Sequence, residues 1–406
     1  MTAASTSAAG NKGRSGFSGR LSDEMLARFA ERAPIYDREN RFASEDFEEL
    51  RASGYLQGPV PKELGGLGMT LAEVAREQRR LGYHAAPTAL AVNMHLYWVG
   101  LIADLWRSGD HTLQWVLEEA MAGKIFAAGH AESGNDVPVL LSTTTAERVD
   151  GGYRFTGRKS FGSLTPVWDY LGMHGMDLSD PKAPKVVHAF MPRVTMKYRI
   201  VPTWDNVLGM RATRSDDTVL EGAFVAERHI ARVVPPGFKG IDGFVLGVFA
   251  WALVGFANVY CGLARRIFDT SVAYLKKKKS IALSRGSMAY HALSQDHIAE
   301  MAIELEGIEP HLDLVAQQWS EGAPFGALWG PKIVMAKYRA VESCWRIADL
   351  ALEVAGGFGI FPSSGLERLL RDARLGRLHP ANYFITREIV GKAFLGIDLD
   401  EQPRWG

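Results

Sequence analysis

The most informative stretch of this chain is Glu367-Arg368-Leu369-Leu370-Arg371-Asp372-Ala373-Arg374-Leu375-Gly376-Arg377-Leu378-His379-Pro380, which closely follows Gly356-Gly357-Phe358-Gly359. Two adjacent glycines permit positive φ and a close backbone approach, as a loop over a phosphate group requires, whereas an ordinary helix end needs only one glycine. The charged helical segment after them ends at a proline, which cannot continue a helix. The stretch therefore predicts a cofactor-binding loop, a short helix and a turn.

Length and composition set the frame for that prediction. The chain has 406 residues, of which 47% are hydrophobic, so it can bury a large core divided over two or three domains. Lys plus Arg and Asp plus Glu both number 46, which gives no overall field that would attract nucleic acid or an anionic membrane. The two cysteines, Cys261 and Cys344, lie in segments typical of buried helices, and they predict a reducing, cytoplasmic location without a disulfide.

The first 125 residues of the chain divide into two zones. Residues 1–20 are rich in Ser, Ala and Gly and contain no apolar run, which predicts a disordered N-terminus and not a signal peptide. Residues 21–125 carry helical signals, such as Ser22 before one amphipathic run and Gly54 after another. We therefore expect an N-terminal helical domain.

The remaining chain contains two further zones with different secondary-structure signals. Residues 126–236 alternate β-prone runs with turn signals, among them Asp150-Gly151 between two such runs, and predict a β-domain. Residues 237–406 place apolar side chains at intervals of three and four, which suits a helical bundle. The longest apolar run, 243–257, is shorter than the roughly 20 residues of a bilayer span, so we expect no membrane segment.

Together these features resemble the acyl-CoA dehydrogenase superfamily over nearly the whole chain. In that family a Gly-Gly-x-Gly loop and an Arg-Asp-containing helix are followed by a catalytic Glu. The resemblance implies a mainly α fold with an N-terminal helical domain, a central β-barrel and a C-terminal four-helix bundle. It also implies bound FAD. At the position of the catalytic Glu this chain has Pro380, whose side chain can neither accept nor donate a proton.

Two motifs of the β-domain resemble the family's flavin-contacting loops. Residues 131–136 correspond to a loop that meets flavin and substrate, which implies Glu132 and Ser133 as contacts; the alternative is a polar turn. Residues 157–163 resemble a segment whose aromatic packs on the flavin ring and whose hydroxyl bonds to its edge, which implies Phe161 and Ser163. The alternative for these two is a core aromatic and a turn serine.

Other motifs lie farther along the chain. Residues 209–217 resemble a family segment before the last strands, with a solvated hairpin as the alternative. By the resemblance, Lys278 takes the place of an Arg that reaches the pyrophosphate of a neighbouring subunit's flavin, although four lysines in a row also suit a solvated helix end. The remaining implied cofactor contacts are Gly356, Gly357 and Asn382.

The acyl pocket departs further from the family pattern. Some family members carry the Glu on the helix that opens the bundle, and here that position is Ala252; a CoA-contacting Arg is replaced by Leu253. With Phe249, these residues predict an apolar substrate pocket without a base. His379, next to the missing Glu, is the candidate acid or base, because imidazole titrates near neutrality.

We therefore expect a flavin oxidoreductase acting on an acyl or other hydrophobic substrate. Three chemistries stay open: dehydrogenation with another base, oxygenation by reduced flavin and oxygen, and oxidation initiated by decarboxylation. A non-enzymatic flavin-binding protein is the alternative of another class. The resemblance implies a homodimer or homotetramer, with a flavin reductase or an electron-transfer flavoprotein as redox partner and no metal.

Overall fold

The computed structural model describes residues 21–401, in which helices are followed by a sheet and then by helices, as predicted. The segment 1–20 that was predicted to be disordered lies outside the described residues. Ser22 begins the first helix as expected, because its hydroxyl accepts a hydrogen bond from Met25 N at 3.2 Å. The helices of the N-terminal part are α1 (Asp23–Glu39), α2 (Ser44–Ser53), α3 (Leu71–Arg107) and α4 (Gln114–Met121).

A kink divides α3 into two parts. Ala85 has non-helical φ of −149° and ψ of 76°, and Pro87 follows it. The part after the kink is buried over most of its length and runs past the sheet. Its side chains can therefore reach the centre of the molecule.

The central strands form one open sheet, so the predicted β-barrel is not confirmed. The Asp150-Gly151 hairpin is confirmed, since Val149 pairs with Gly152 and Gly151 has a φ of 75°. The two end strands of the sheet, however, do not pair with each other within residues 21–401. The strands are β1 (Phe126–Gly129), β2 (Thr145–Val149), β3 (Gly152–Gly162), β4 (Tyr170–Asp177), β5 (Lys185–Pro192), β6 (Tyr198–Val201), β7 (Asp216–Ala226) and β8 (Ile230–Val234), in the order β6-β7-β3-β2-β4-β5-β8 with β1 beside β4.

Within the described residues, the C-terminal part contains five α-helices, which agrees with the expectation of a helical C-terminal part. Its first helix packs along α3 so closely that glycine is required at the crossing. A Cβ on Gly82 would lie 2.5 Å from Val259 O, and one on Gly262 would lie 2.1 Å from Arg79 O. The five helices are α5 (Gly243–Lys277), α6 (Ala292–Ser320), α7 (Trp329–Ala355), α8 (Leu366–Gly376) and α9 (Tyr383–Leu395).

By length and composition, α3 and α5 could each cross a membrane, but 89% of the apolar window in each is buried inside the fold. Long apolar helices of this kind form the core of a large domain. The two cysteines are buried and are not disulfide-bonded.

The Arg-Asp pair that marks the decisive stretch holds the three parts of the molecule together. Asp372 on α8 is buried and accepts a hydrogen bond from Met210 N at 2.6 Å, and burial raises its pKa to about 6. Arg371 donates to Leu208 O at 2.8 Å and pairs with Asp37 of α1. The pair therefore fixes the turn before β7 against α8, where the turn forms one wall of the central cavity described next.

Candidate active site

A cavity of about 300 Å³ lies where α3, the sheet and the C-terminal helices meet. Most of the predicted site residues line it: Glu132, Phe161, Ser163, Phe249, Ala252, Leu253, His379, Pro380 and Asn382. The sequence analysis did not assign several other lining residues to the site, among them Leu90, Met94, Tyr97, His130, Trp204 and Phe256. Met210, Thr213 and Ser215 also line the cavity and lie in the 209–217 motif, to which no site role was given.

One wall carries a row of hydroxyl groups. Ser163 and Ser215 are 2.8 Å apart, Oγ to Oγ, and Ser215 Oγ lies 2.7 Å from Thr213 Oγ1. The row ends where Thr213 donates to Met210 O at 2.8 Å. All three hydroxyl residues are buried, so the segment 209–217 is a cavity wall and not a solvated hairpin.

An aromatic pair stands beside this row. Phe161 meets Trp204 edge to face, with ring centroids 5.9 Å apart, and 63% of the Phe161 residue surface is exposed. Phe161 has a φ of 58° and Met210 a φ of 52°, and non-glycine residues adopt such values at a cost of roughly 1–3 kcal/mol. Strain of this kind is concentrated at functional sites, and here it places an aromatic ring at the mouth of the cavity.

Glu132 lies in the wall, but its carboxylate is fully engaged by the protein. Its oxygens accept hydrogen bonds from Lys159, Asn135, Ser142 and the Thr143–Thr144 segment. Burial raises the pKa of this carboxyl, and the Lys159 ammonium with the surrounding donors more than offsets the effect, lowering the pKa to about 2. Glu132 therefore organises the loop as a permanent anion, and the exposed Ser133 does not line the cavity.

The turn after α8 brings His379 and Pro380 into the wall. His379 Nε2 lies 2.9 Å from the Tyr260 hydroxyl, and its ring stacks on Phe256 at 4.9 Å. Burial, followed by the nearby charge of Lys337, lowers the pKa of His379 to about 3. The imidazole is therefore neutral at neutral pH, contrary to the expectation that it titrates there.

A buried lysine holds this turn by hydrogen bonds. Lys337 of α7 donates to His379 O at 3.1 Å and to Ala381 O at 3.2 Å, and burial lowers its pKa to about 7. Asn382 accepts hydrogen bonds from Phe384 N and Ile385 N and so begins α9. Both ends of the turn are thus fixed by side chains.

Two polar atoms in the walls have no partner within the described chain. The Tyr97 hydroxyl and His130 Nε2 are buried and make no hydrogen bond. An unpaired buried hydroxyl is unfavourable by roughly 1–3 kcal/mol, and both residues belong to the cavity lining. Tyr97 stands in an apolar helical run and looks like a core residue in the sequence, which is why the sequence analysis missed it.

The elements predicted to meet a phosphate lie elsewhere. Lys278 Nζ donates to Ala355 O at 3.0 Å, beside Gly356, which has a φ of 63°. Gly356 and Gly357 are exposed, and neither lines the cavity of its own chain. Lys278 and this glycine loop therefore form one surface feature separate from the cavity.

The sequence matches two domains of one family. Residues 20–114 match the acyl-CoA dehydrogenase N-terminal domain, and residues 243–395 match the acyl-CoA dehydrogenase C-terminal domain. The chain belongs to the acyl-CoA dehydrogenase superfamily. It is accordingly a flavoprotein oxidoreductase, and the alternative of a non-enzymatic flavin-binding protein is not supported.

Relatives of this flavoprotein catalyse several kinds of reaction. It is 26% identical to a protein of Bacillus subtilis (strain 168) assigned as an acyl-CoA dehydrogenase, with 93% of this chain and 95% of the relative covered. It is 27% identical to the dibenzothiophene monooxygenase of Mycolicibacterium goodii, covering 86% and 87%. The structure of KijD3 in complex with FMN and dTDP-3-amino-2,3,6-trideoxy-4-keto-3-methyl-D-glucose aligns with a TM-score of 0.81 at 25% identity, covering 93% of both chains.

Proposed function

We propose that this flavoprotein is a monooxygenase that uses reduced flavin and molecular oxygen to oxidise a hydrophobic substrate. The observation that carries the proposal is the chemistry of Pro380 and Ala252. These are the two positions at which the family resemblance places a dehydrogenase base, and both side chains lie in the cavity wall without a titratable group. The relationship to a monooxygenase over most of the chain supports the same reaction.

The cavity residues fit a flavin ring. The unpaired Tyr97 hydroxyl and the hydroxyl row that begins at Ser163 offer hydrogen bonds, and Phe161 with Trp204 offers an aromatic surface. Bound and reduced flavin supplies two electrons to dioxygen, so that one oxygen atom enters the substrate and the other leaves as water. The protein residues orient the reactants and exclude water.

The residues on the substrate side act mainly by excluding water. Phe249, Ala252, Leu253 and Phe256 present apolar groups to the cavity. A dry site of this kind suppresses the loss of reactive oxygen species to solvent. His379 stays neutral, because burial lowers its pKa to about 3, and it therefore contributes hydrogen bonds without a charge.

Oxygen transfer is tested with isotope-labelled dioxygen. The flavin-loaded protein is reduced without oxygen, mixed with hydrophobic candidate substrates and exposed to labelled oxygen. We expect one labelled atom in the product. Reduction of the oxidised flavin by substrate alone, with an unlabelled and desaturated product, would instead establish dehydrogenation. In that case the variant Asp136→Asn would show whether the exposed Asp136 carboxylate is the base of the dehydrogenation. Asp136 and Glu132 are the two acidic residues of the lining.

We further propose FAD as the form of the flavin and a homo-oligomer as its host. The exposed loop at Gly356–Gly357 with the neighbouring Lys278 suits the pyrophosphate of a flavin bound in another subunit, and Phe358 and Phe361 beside it are exposed aromatic groups suited to a subunit contact. The reduced flavin would be supplied by a separate flavin reductase or electron donor.

The variant Gly357→Val tests this assignment. A Cβ on Gly357 meets nothing within 4 Å, so the fold tolerates the change, and the same is true of the control position Gly391. We expect Gly357→Val to weaken FAD binding without altering FMN binding, and Gly391→Val to change neither. Equal affinity of Gly357→Val and the wild-type protein for FAD would remove Gly357 from the cofactor site.

A further inference from the structure

A second, larger cavity lies directly beside the first. It has a volume of about 540 Å³, within the range of ligand sites, and shares the wall residues Asp136, Pro138, Phe249 and Pro380 with the inner cavity. We call it the outer chamber. Its other walls come from the 137–140 loop, the start of α5, the start of α7, α9 and Leu399 near the end of the described chain.

The outer chamber is lined almost entirely by apolar side chains. Three aromatic residues, Phe238, Phe249 and Trp329, face it together with aliphatic residues of α7 and α9. The segment that carries Leu399 is held in place because Asp400 accepts hydrogen bonds from Phe238 N at 2.8 Å and Lys239 N at 3.0 Å. This wall of the chamber is therefore fixed by hydrogen bonds.

The charges at the outer chamber have one sign. Its lining, all within residues 21–401, contains Asp136 and Asp242 but neither Lys nor Arg. Asp242 accepts a hydrogen bond from Val245 N at 2.9 Å and pairs with Arg232 at 3.2 Å, so the nearby guanidinium is already used. Phosphate groups of CoA or of a nucleotide would meet carboxylates there without a compensating cation, which is strongly unfavourable.

We propose that the outer chamber binds the body of an uncharged, largely apolar, ring-containing substrate and not a CoA thioester or a nucleotide-linked sugar. The proposal rests on the proposed oxygenase function for its role in catalysis. Phe249 and Pro380 stand between the two cavities, so a ring in the outer chamber presents its edge past these two residues to the flavin side, where Ser163 and Phe161 lie. The site thus selects substrates by shape and absence of charge.

Calorimetric titration of the protein loaded with oxidised flavin tests the proposal without turnover. Naphthalene is the uncharged probe, and butyryl-CoA and free CoA are the charged probes. We expect naphthalene to bind and both CoA compounds to show no saturable binding that competes with it. Competitive binding of butyryl-CoA at the same site would overturn the proposal.

A chamber-filling variant assigns the binding to this site. Gly330 lies in the chamber wall on α7, and a Cβ there meets nothing within 4 Å. We expect Gly330→Phe to weaken naphthalene binding by roughly tenfold or more, because its ring occupies the chamber, with flavin content unchanged. Gly307→Phe on α6 is the matched control, since its Cβ is equally open and Gly307 lines neither of the two cavities.

The outcomes separate the two proposals. Unchanged naphthalene affinity in Gly330→Phe would show that naphthalene does not bind in the outer chamber. The result of the labelled-oxygen experiment would not be affected. Should Gly330→Phe fail to fold, Ile389→Trp fills the same chamber from α9 and replaces it. Naphthalene binding that depends on the chamber, combined with no labelled oxygen in any product, would instead reject the oxygenase function and keep the binding site.

Discussion

At the scale of single residues, the polar atoms without partners are more informative than the motifs. Tyr97 and His130 belong to no motif that resembles the family pattern, yet both residues line the cavity and each has a buried polar atom without a partner. Glu132 belongs to such a motif, yet its carboxylate is fully used within the protein. The reason is physical. A binding group must keep an unused hydrogen-bond donor or acceptor in the folded chain, and sequence spacing does not show which donors and acceptors are used within the fold.

The Tyr97 hydroxyl provides the first prediction. Tyr97→Phe removes a buried group that has no partner, so the melting temperature of the flavin-free protein should stay constant or rise. If the hydroxyl contacts the bound ligand, flavin or substrate affinity should fall by roughly 2- to 10-fold, as for one lost hydrogen bond. The control is Tyr55→Phe, whose buried hydroxyl lies 3.2 Å from Gln78 Oε1. That variant should lose stability and keep its ligand affinity; unchanged affinity in Tyr97→Phe would show that the hydroxyl faces no ligand.

His379 provides a second prediction, because it was the candidate acid or base. Its pKa is lowered to about 3 by burial, so it does not ionise at neutral pH, and the pH profile of turnover should contain no limb that His379→Gln removes. A general acid or base would contribute about 10²- to 10⁴-fold to the rate, whereas a neutral hydrogen-bonding group contributes less. We expect His379→Gln to lose less than about 100-fold, and Tyr260→Phe, which removes its partner, to have a similar effect. A larger loss together with a vanished pH limb would restore the acid–base role.

At the scale of elements, local signals predicted helices and hairpins well and closure of the sheet poorly. Ser22, Gly54 and Asp150-Gly151 each act through their own backbone conformation, so each is visible in the sequence and confirmed in the structure. Whether β6 and β8 meet depends on the twist summed over the strands between them, which no residue pattern records. The buried wall formed by 209–217 likewise depends on Asp372 from another element and could not be deduced from its own alternating charges.

The turn between α8 and α9 gives an element-scale prediction about Lys337. Lys337→Met removes the ammonium group that donates hydrogen bonds to the carbonyl groups of His379 and Ala381. Amide exchange in residues 378–382 should therefore accelerate and turnover should fall. The variant should also change the pH dependence of stability. The folded pKa is about 7 and the unfolded pKa of Lys about 10.4, so between these values the unfolded chain binds more protons.

Stability of the wild-type protein gains from Lys337 as pH rises from about 7 to about 10, by at most roughly 1.4 kcal/mol per pH unit. Chemical denaturation of both proteins over this range measures the difference, which should disappear in Lys337→Met. Lys332→Met, on the same helix but outside the turn, is the control. Parallel stability curves for the wild-type and Lys337→Met proteins would show that the pKa of Lys337 is not lowered in the folded protein.

At the scale of the whole molecule, the balanced net charge does not reveal the buried ionisable groups, whose pKa values are shifted. The formal charge is +0 because 46 basic and 46 acidic residues cancel, and this sum says nothing about buried groups. Burial lowers the pKa of several histidines in the sheet and the cavity walls: His95, His130, His174, His188 and His379. Composition counts these residues as neutral and cannot distinguish an exposed histidine from one that resists protonation.

These histidines predict acid sensitivity. Each one stays neutral in the folded protein, whereas in the unfolded chain it is protonated below a pKa of about 6.5, so the unfolded state binds more protons and stability falls as pH decreases from about 6.5 toward 4. Asp46 and Asp372 oppose the trend, because burial raises the pKa of each to about 6 and their protonation favours the fold between about 6 and 4. The five histidines outnumber the two carboxyl groups, and stability should therefore fall throughout the range from about pH 6.5 to about 4, with the carboxyl groups reducing the loss without reversing it.

His188 tests this balance at one position. Burial lowers its pKa to about 3, and neither ring nitrogen has a hydrogen-bond partner, so His188→Phe removes a titrating group without breaking a bond. The ring of Phe can keep the contact with Phe244, whose centroid lies 5.5 Å away. Denaturation between pH 7 and 5 should show a shallower loss of stability in the variant, by at most roughly 1.4 kcal/mol per pH unit below about 6.5. His111→Phe, at an exposed turn, should leave the slope as in the wild-type protein. An unchanged slope in His188→Phe would mean that this ring is protonated equally in the folded and unfolded states, and the acid sensitivity would then have to come from the remaining buried histidines.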